Sequence, residues 1–255
     1  MLDKAPIPLT GHRVVVTGGS RGLGAAFVND LCVAGARVVF GDVLHEEGEA
    51  VMKKMRNSGH DATFLPLDLM SEFSINEFVK KAAGLMGGID GLINNAAITN
   101  SGGKLANELT CDTWDAVQNV NVRGMWLMCN AALPWLKQAK HGAVVNLASD
   151  TARWGAPKLL AYVASKGAVI AMTHALAREY GEYEVTVNAI APGLTEVEAT
   201  AYVPKERHDF YRDGRALKRS QAPRDVTGPV LFLLSESARF VTGQILPVNG
   251  GFVMQ

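Results

Sequence analysis

The sequence predicts an α/β fold, a doubly wound parallel sheet of Rossmann type in a single domain, and three observations carry that prediction. Short runs of β-branched and apolar residues alternate with longer helix-patterned segments along the whole chain. The first of those runs empties into a glycine-rich turn. The third is size: 255 residues with 48% hydrophobic content can bury one sizeable core but leave no room for a separate substrate domain. One domain spanning residues 1–255 is therefore expected.

The first strand is expected over residues 13–17, where Arg-Val-Val-Val-Thr reads as a short buried run, followed by a glycine turn over 18–24 and a helix over 25–34. The second strand, 37–41, has the same character and ends in Asp42. Further strands are expected at 62–67, 88–94, 143–148, 184–190 and 245–248. Helices fill the intervals, including 46–57, 71–86, 113–137 and 157–180. No internal repeat or low-complexity linker interrupts this order. Gly18, Asp42, Asn94, Ser149 and Pro192 fall at or just beyond the C-terminal ends of strands, the edge where open α/β sheets bind ligands.

Charge and cysteine content narrow the function classes. Lysine plus arginine equals aspartate plus glutamate at 25 each, so no global field draws the chain to nucleic acid or an anionic membrane. The three cysteines, Cys32, Cys111 and Cys129, lack Cys-x-x-Cys spacing, and the six histidines form no His-Glu-x-x-His signature. They read as buried small side chains and surface imidazoles in a cytoplasmic protein without a metal site. The N-terminal stretch lacks the apolar core of a signal peptide, and no apolar run is expected to reach the ~18 residues that span a bilayer.

Two constellations carry chemistry. In the first, a strand, the turn Gly18-Gly19-Ser20-Arg21-Gly22-Leu23-Gly24 and a helix start make a phosphate cradle, because glycine lets the backbone approach a pyrophosphate whose charge is favoured by free N–H groups. About twenty residues on, Asp42 can accept hydrogen bonds from adenosine ribose hydroxyls, which favours NAD over NADP. Arg21 pulls the other way, since a basic residue in the turn can contact a 2′-phosphate. The carboxylate of Asp42 would repel that phosphate directly and is weighted more heavily.

The second constellation is Ser149 in Val-Asn-Leu-Ala-Ser, then Tyr162 and Lys166 in Tyr-Val-Ala-Ser-Lys. In a helix Tyr162 and Lys166 stand at i and i+4, with the ammonium beside the phenol. A free phenol titrates near ~10, so the lysine is expected to lower that value and make Tyr162 a proton-transfer group, while the Ser149 hydroxyl binds the substrate oxygen. Helices carry many such tyrosine–lysine pairs as ordinary neighbours; the glycine cradle is what raises this one above them.

With these motifs in order, the chain resembles the classical short-chain dehydrogenase/reductase family from about Leu9 to Gly251. Thr17 to Gly24 is similar to that family's Thr-Gly-x-x-x-Gly-x-Gly turn, and Ser149 precedes Tyr162 by the thirteen residues its pattern requires. The resemblance implies an adenine contact from Asp68 and Leu69, support of sheet and cofactor by Asn94, Asn95 and Ala96, an active-site role for Asn121, and a nicotinamide-lining segment at Pro192 and Gly193. It implies hydride transfer between a carbinol or carbonyl carbon and nicotinamide, with Lys166 also holding the nicotinamide ribose and Asn121 holding a water on the proton path. A helix-to-helix hydrogen bond is the plainer role for Asn121. A homotetramer is implied as well.

Three departures stand out: Ala97 replaces the family's usual glycine, Asn249 its aspartate, and Val197 the threonine after Pro-Gly. Thr195 or Thr200 then becomes the candidate contact for the nicotinamide carboxamide, with Thr195 preferred.

Residues 194–223 read as a variable substrate lid. Arg212, Arg215 and Arg219 would share one face of a helix there, either as a solvated or subunit-contacting face or as a reader of an anionic group. Trp154 is either an aromatic pocket wall or core packing. The leading expectation is an NAD-dependent alcohol dehydrogenase or ketoreductase acting on a small secondary alcohol or ketone. The alternatives are an NADP-dependent 3-oxoacyl-thioester reductase and a non-enzymatic dinucleotide-sensing protein.

Overall fold

The structure is a computed structural model that describes residues 7–99 and 103–254. In chain order its elements are β1 (Arg13–Thr17), α1 (Gly22–Val33), β2 (Arg37–Asp42), α2 (His45–Asn57), β3 (Ala62–Pro66), α3 (Glu72–Met86), β4 (Gly91–Asn94), α4 (Cys111–Gln118), α5 (Met125–Leu136), β5 (Ala143–Leu147), α6 (Thr151–Trp154), α7 (Leu160–Tyr180), β6 (Thr186–Pro192), α8 (Lys205–Gly214), α9 (Pro223–Leu234) and β7 (Ile245–Val248). The strands form one sheet in the order β3-β2-β1-β4-β5-β6-β7, and every pairing is parallel. The order reverses between β1 and β4, which opens a crevice at the C-terminal ends of those strands.

Both faces of the sheet are covered, which explains the unbroken apolar runs in the sequence. Val14 and Val16 of β1 pack with Phe27, Val28 and Leu31 of α1 and with Val226 and Val230 of α9. Val15, pointing the other way, joins Ile75, Phe78 and Val79 of α3 and Leu127, Met128 and Leu136 of α5. Burying each of these side chains stabilises the fold by about 1.5–3 kcal/mol relative to exposure. At the strand start Arg13 donates from Nε to Asp90 Oδ2 (2.8 Å) and from its amide to the same oxygen (2.9 Å), fixing β1 beside the loop that enters β4.

The expected elements are all present, with boundaries that differ for local reasons. The first helix begins at Gly22, inside the glycine turn, rather than at 25. The strand expected from 88 begins at Gly91, because α3 ends in a left-handed Gly87 followed by Gly88 at φ 135°. The strand expected over 184–190 runs from Thr186 to Pro192: Glu184 is left-handed, and the ladder with β7 continues to Pro192 opposite Val248. The helix expected over 157–180 begins at Leu160, after the short α6 and a left-handed Gly155.

The expected single helix over 113–137 is instead α4 and α5 joined by a π-helical turn, Asn119–Gly124. Gly124 allows close packing there, since an added Cβ would stand 2.8 Å from both Leu69 Cβ and Leu69 O.

Two composition-based expectations need correction. The helical stretch Leu160–Tyr183 is long and apolar enough, by length and composition, to cross a bilayer; it is the helix that packs against β6 and carries Tyr162 and Lys166. Among the cysteines, Cys32 and Cys129 are buried, and burial pushes both thiols up to about 12, but Cys111 is exposed in the first turn of α4.

Candidate active site

The turn between β1 and α1 is built around one close approach. A Cβ on Gly24 would lie 1.8 Å from Gly18 O, so only glycine lets the helix start fold back onto the turn. Asn95 braces the same turn, its Nδ2 donating to Thr17 O (3.0 Å) and Gly18 O (2.9 Å). Thr17 Oγ1 in return accepts from the amides of Asn95 (3.0 Å) and Ala96 (3.1 Å).

Helix α1 starts at Arg21 without a side-chain cap and with no acidic residue in its first turn. Its leading amide, Gly22 N, donates instead to Glu198 Oε1 of the segment that follows β6, at 2.6 Å. A carboxylate is thus already seated on the helix start, and the cradle fits an anionic phosphate group by the same interaction.

Asp42, at the end of β2, turns both carboxylate oxygens toward this cradle: Oδ2 accepts from Ser20 N (3.1 Å) and Oδ1 from Leu44 N (3.2 Å). Ser20 is buried and donates from its hydroxyl to Leu44 O, Leu23 packs partly buried against the core, and Arg21 is exposed. Asp68 is exposed beyond β3 and accepts from Met70 N (2.9 Å), while Leu69 is buried.

Asn94 pairs in register with Thr17 at the foot of the cradle but turns its side chain into the protein. Its Nδ2 donates to Asn146 Oδ1 (2.9 Å) and Cys129 Sγ (3.3 Å) inside the protein, so its side chain supports the sheet.

Ser149 follows β5 directly, and its Oγ accepts from Thr151 Oγ1 at 2.9 Å and Thr151 N at 3.3 Å. Helix α7 brings Tyr162 into hydrogen bonding with Ser149. One turn further on, the buried Lys166 donates from Nζ to Leu147 O (2.5 Å), at 5.6 Å from the centroid of the Tyr162 ring. Spacing in the sequence therefore translates into convergence of all three side chains at the end of β5.

The expected lowering of the Tyr162 phenol is not seen. Burial pushes it up to about 12, with the Ser149 hydrogen bond working against that rise and the nearby Asp150 adding to it. Burial also brings Lys166 down to about 8. Desolvation is the largest influence on both groups, and the ammonium is engaged by a main-chain carbonyl.

Asn121 lies buried in the π-helical turn. Its Oδ1 accepts from Ile98 N (2.7 Å), and its Nδ2 donates to Ile98 O (3.0 Å) and to Ser165 Oγ on α7 (3.0 Å). The side chain thus does make the helix-to-helix bond. Wide π turns recur at functional sites, and this one carries Asn121 onto α7.

Pro192 and Gly193 leave β6 beside Ser149, with Asp150 N donating to Pro192 O (3.0 Å). Thr195 is buried and donates to Gly193 O (3.2 Å), whereas Thr200 turns its hydroxyl into its own loop, onto Thr195 O (2.7 Å) and Val197 O (2.9 Å).

Arg212, Arg215 and Arg219 do not share a helical face. Helix α8 ends at Gly214, so only Arg212 belongs to it; Arg215 is its extended C-cap and Arg219 lies beyond. Arg212 pairs with Asp209 (2.6 Å) and Asp213 (3.1 Å), and Arg219 grips Asp225 at 2.6 and 2.8 Å. Arg215 is buried and donates to Asn249 O, Arg219 O, Leu194 O and Gln221 Oε1.

Trp154 packs in an aromatic cluster. It meets Phe210, Tyr211 and Phe252 edge-on or tilted at 5.8–6.1 Å, and Phe210 is exposed.

Comparison with known proteins then decides the family. A family profile described as enoyl-(acyl carrier protein) reductase matches residues 18–253. The 3-oxoacyl-[acyl-carrier-protein] reductase FabG of Aquifex aeolicus is 35% identical, over 96% of this chain and 98% of the relative. This chain belongs to the short-chain dehydrogenase/reductase family.

Other family members spread over different substrates. A 3-alpha-(or 20-beta)-hydroxysteroid dehydrogenase of Mycobacterium bovis is 34% identical over 96% of this chain and 90% of its own. The crystal structure of a short-chain glucose/ribitol dehydrogenase from Brucella melitensis superposes with a TM-score of 0.91 at 31% identity, covering 98% of this chain and 99% of the other. The protein is accordingly a short-chain dehydrogenase/reductase oxidoreductase acting on CH–OH groups.

Sequence reasoning passed over two acidic residues that face this site. Asp150 is fully buried directly behind Ser149, and Glu198 sits on the cradle. A carboxylate immediately after an all-buried strand was the readable signal for the first; Glu198 left none, because its partner is 176 residues away.

Proposed function

We propose that this protein is an NAD-dependent oxidoreductase that interconverts a small secondary alcohol and the corresponding ketone. The observation that supports it most is the hydrogen-bonded Ser149–Tyr162 pair with Lys166 one helical turn on, at the same sheet edge as the glycine cradle.

Gly18, Ser20, Arg21, Gly22, Leu23 and Gly24 would hold the pyrophosphate, Asp42 the adenosine ribose, Asp68 and Leu69 the adenine, Asn95 and Ala96 the cofactor edge of β4, and Pro192, Gly193 and Thr195 the nicotinamide. When bound, the nicotinamide supplies the hydride donor or acceptor. Ser149 binds the substrate oxygen through its hydroxyl. Tyr162, as phenolate, takes the alcohol proton during oxidation and returns it during reduction. Lys166, whose Nζ donates to Leu147 O at the same edge, would hold the nicotinamide ribose and supply the positive charge that offsets phenolate formation. Asn121, fixed in the π turn by Ile98 and Ser165, would hold a water that continues the proton path. Asp42 favours NAD, since its carboxylate accepts ribose hydroxyls and repels a 2′-phosphate.

A second reading, an NADP-dependent 3-oxoacyl-thioester reductase, is favoured by the similarity to FabG and by the exposed Arg21. A panel of secondary alcohols, ketones and 3-oxoacyl thioesters assayed with both cofactors separates the two. Higher catalytic efficiency with NAD and simple alcohols supports the first reading, and NADP with thioesters replaces it. A cytoplasmic homotetramer belongs to the same proposal; Trp114 of α4 and Trp126 of α5 stand exposed, as residues that bury against other copies would. Sedimentation equilibrium tests that assembly.

A further inference from the structure

Among the described residues Asp150 is the one carboxylate buried completely, with 0% of its surface exposed. Burying a charge is costly unless it is well paired, and this one is only half paired. Oδ1 accepts from Tyr211 Oη at 3.1 Å, across 61 residues of chain, while Oδ2 has no hydrogen-bond partner among the described residues. Oδ2 lies against Gly193, where an added Cβ would stand 3.1 Å from it. A buried acceptor left unsatisfied calls for a reason beyond stability.

Its surroundings supply one. Tyr211 belongs to α8, the helix of the lid, and its hydroxyl also accepts from Trp154 Nε1 of α6 (3.2 Å). Its ring stacks on Phe252 at 4.3 Å, and the Arg215 guanidinium stands 5.5 Å from the ring centroid. On the other side Asp150 donates its amide to Pro192 O and directly follows Ser149. One residue therefore ties together the lid helix, the end of β6 and the loop that holds the serine. Because Asp150 is the chain neighbour of Ser149, which hydrogen-bonds Tyr162, its buried charge stands near that phenol and acts to raise it.

We infer that Asp150 is a positioning residue that fastens lid helix α8 to the Ser149 loop through Tyr211 and holds its negative charge against Tyr162. Burial pushes the Asp150 carboxyl up to about 7, against the pull of Tyr211, Arg215, Asn249 and Trp154, so it is an anion above that pH. Tyr162 of α7 is the group that feels the charge, with Tyr202 of the lid acting on it in the same sense. The lid attachment stands independently of the proposed reaction; only the consequence for turnover rests on Tyr162 as proton-transfer group.

The test uses two variants of the whole chain and two readouts that need no substrate. Tyr211→Phe keeps the ring and removes the donor to Asp150. Amide hydrogen exchange over residues 205–214, in protein without cofactor, is expected to quicken by about tenfold while residues 223–234 keep the wild-type rate. The loss of a single hydrogen bond to a charged group accounts for a change of that size.

Asp150→Asn keeps the shape and removes the charge. The Tyr162 phenol, followed by NMR of tyrosine labelled at Cζ and assigned with Tyr162→Phe, is expected to titrate about 0.5–1 pH unit lower than in wild type. Unchanged exchange in Tyr211→Phe overturns the lid attachment, and an unmoved Tyr162 titration in Asp150→Asn overturns the electrostatic part. If Asp150→Asn does not fold, the Tyr162 titration is read in Tyr211→Phe, whose unpaired Asp150 anion must move it upward, and no movement rejects the proposal. Both readouts stand even if no alcohol or ketone is turned over, so failure of the proposed function is told apart from failure of this inference.

Discussion

Replacing Asp42 by alanine tests cofactor choice and turn architecture together. The carboxylate accepts from Ser20 N and Leu44 N, so its removal strips two amides of their acceptor. Both sites are only partly buried and water can replace the lost oxygen, so the stability lost is about 1–3 kcal/mol. For a chain of this size that lowers Tm by roughly 2–4 °C per kcal/mol. The effect on cofactor is larger. Lost ribose hydrogen bonds account for about 1.5–3 kcal/mol against NAD. Relief of repulsion toward a 2′-phosphate adds on the order of 1 kcal/mol once solvent screening is allowed for. Together these shift the ratio of kcat/KM for NAD over NADP by about 2.5–4 kcal/mol, roughly 70- to 900-fold. Steady-state kinetics with both cofactors and a thermal melt read the two parts separately. A wild type more efficient with NADP, or a ratio unchanged in the variant, refutes the reasoning.

The remaining predictions concern acidic and basic groups that the fold holds close to the site. Because the folded Asp150 carboxyl titrates near 7, above its ordinary value of 3.8, its protonated form stabilises the protein at acid pH and that contribution is lost as pH rises toward 7. Asp150→Asn should remove that part of the pH dependence and melt no lower than wild type at pH 8; a lower melting point there contradicts the assignment of an unfavourable buried charge. Glu198→Gln weakens the carboxylate contact with Gly22 N and should tighten NAD binding about three- to tenfold by calorimetry, whereas weaker binding means that Glu198 helps to hold the cofactor. Arg215→Ala takes the donor from two buried acceptors, Asn249 O and Gln221 Oε1, and from the part-buried Leu194 and Arg219 carbonyls, and should lose about 3–5 kcal/mol, while Arg212→Ala, whose pairs are exposed, should leave the denaturation midpoint close to that of the wild type; chemical denaturation measures both, and similar losses refute the distinction.

Much of this was legible in the sequence because it depends on short-range pattern. The strand runs are apolar throughout since both sheet faces are covered, and the glycine turn is spelled out because Gly24 meets Gly18 O. The Ser149, Tyr162 and Lys166 set could be read because two of its members sit one helical turn apart. What escaped depends on contacts between distant segments. A π turn has the same composition as an α-helix, so the break at Asn119–Gly124 left no periodic mark. The arginine spacing in the lid suggested one face, but the helix stops at Gly214 and each guanidinium is taken up by a different partner. The direction of the Tyr162 shift was misread for a related reason: spacing gives the nearness of lysine but not the depth of burial, nor the Leu147 carbonyl that takes the ammonium.

The most direct measurement of the account is turnover by Tyr162→Phe, run with whichever alcohol or ketone the wild type accepts and paired with calorimetric titration of NAD. Phenylalanine preserves the ring and removes the only oxygen proposed to move the substrate proton, a function that contributes about 10²–10⁴-fold to rate. The account predicts a fall in kcat of at least that order with NAD affinity within about threefold of wild type. A correctly folded Tyr162→Phe variant that turns over at near the wild-type rate would contradict it.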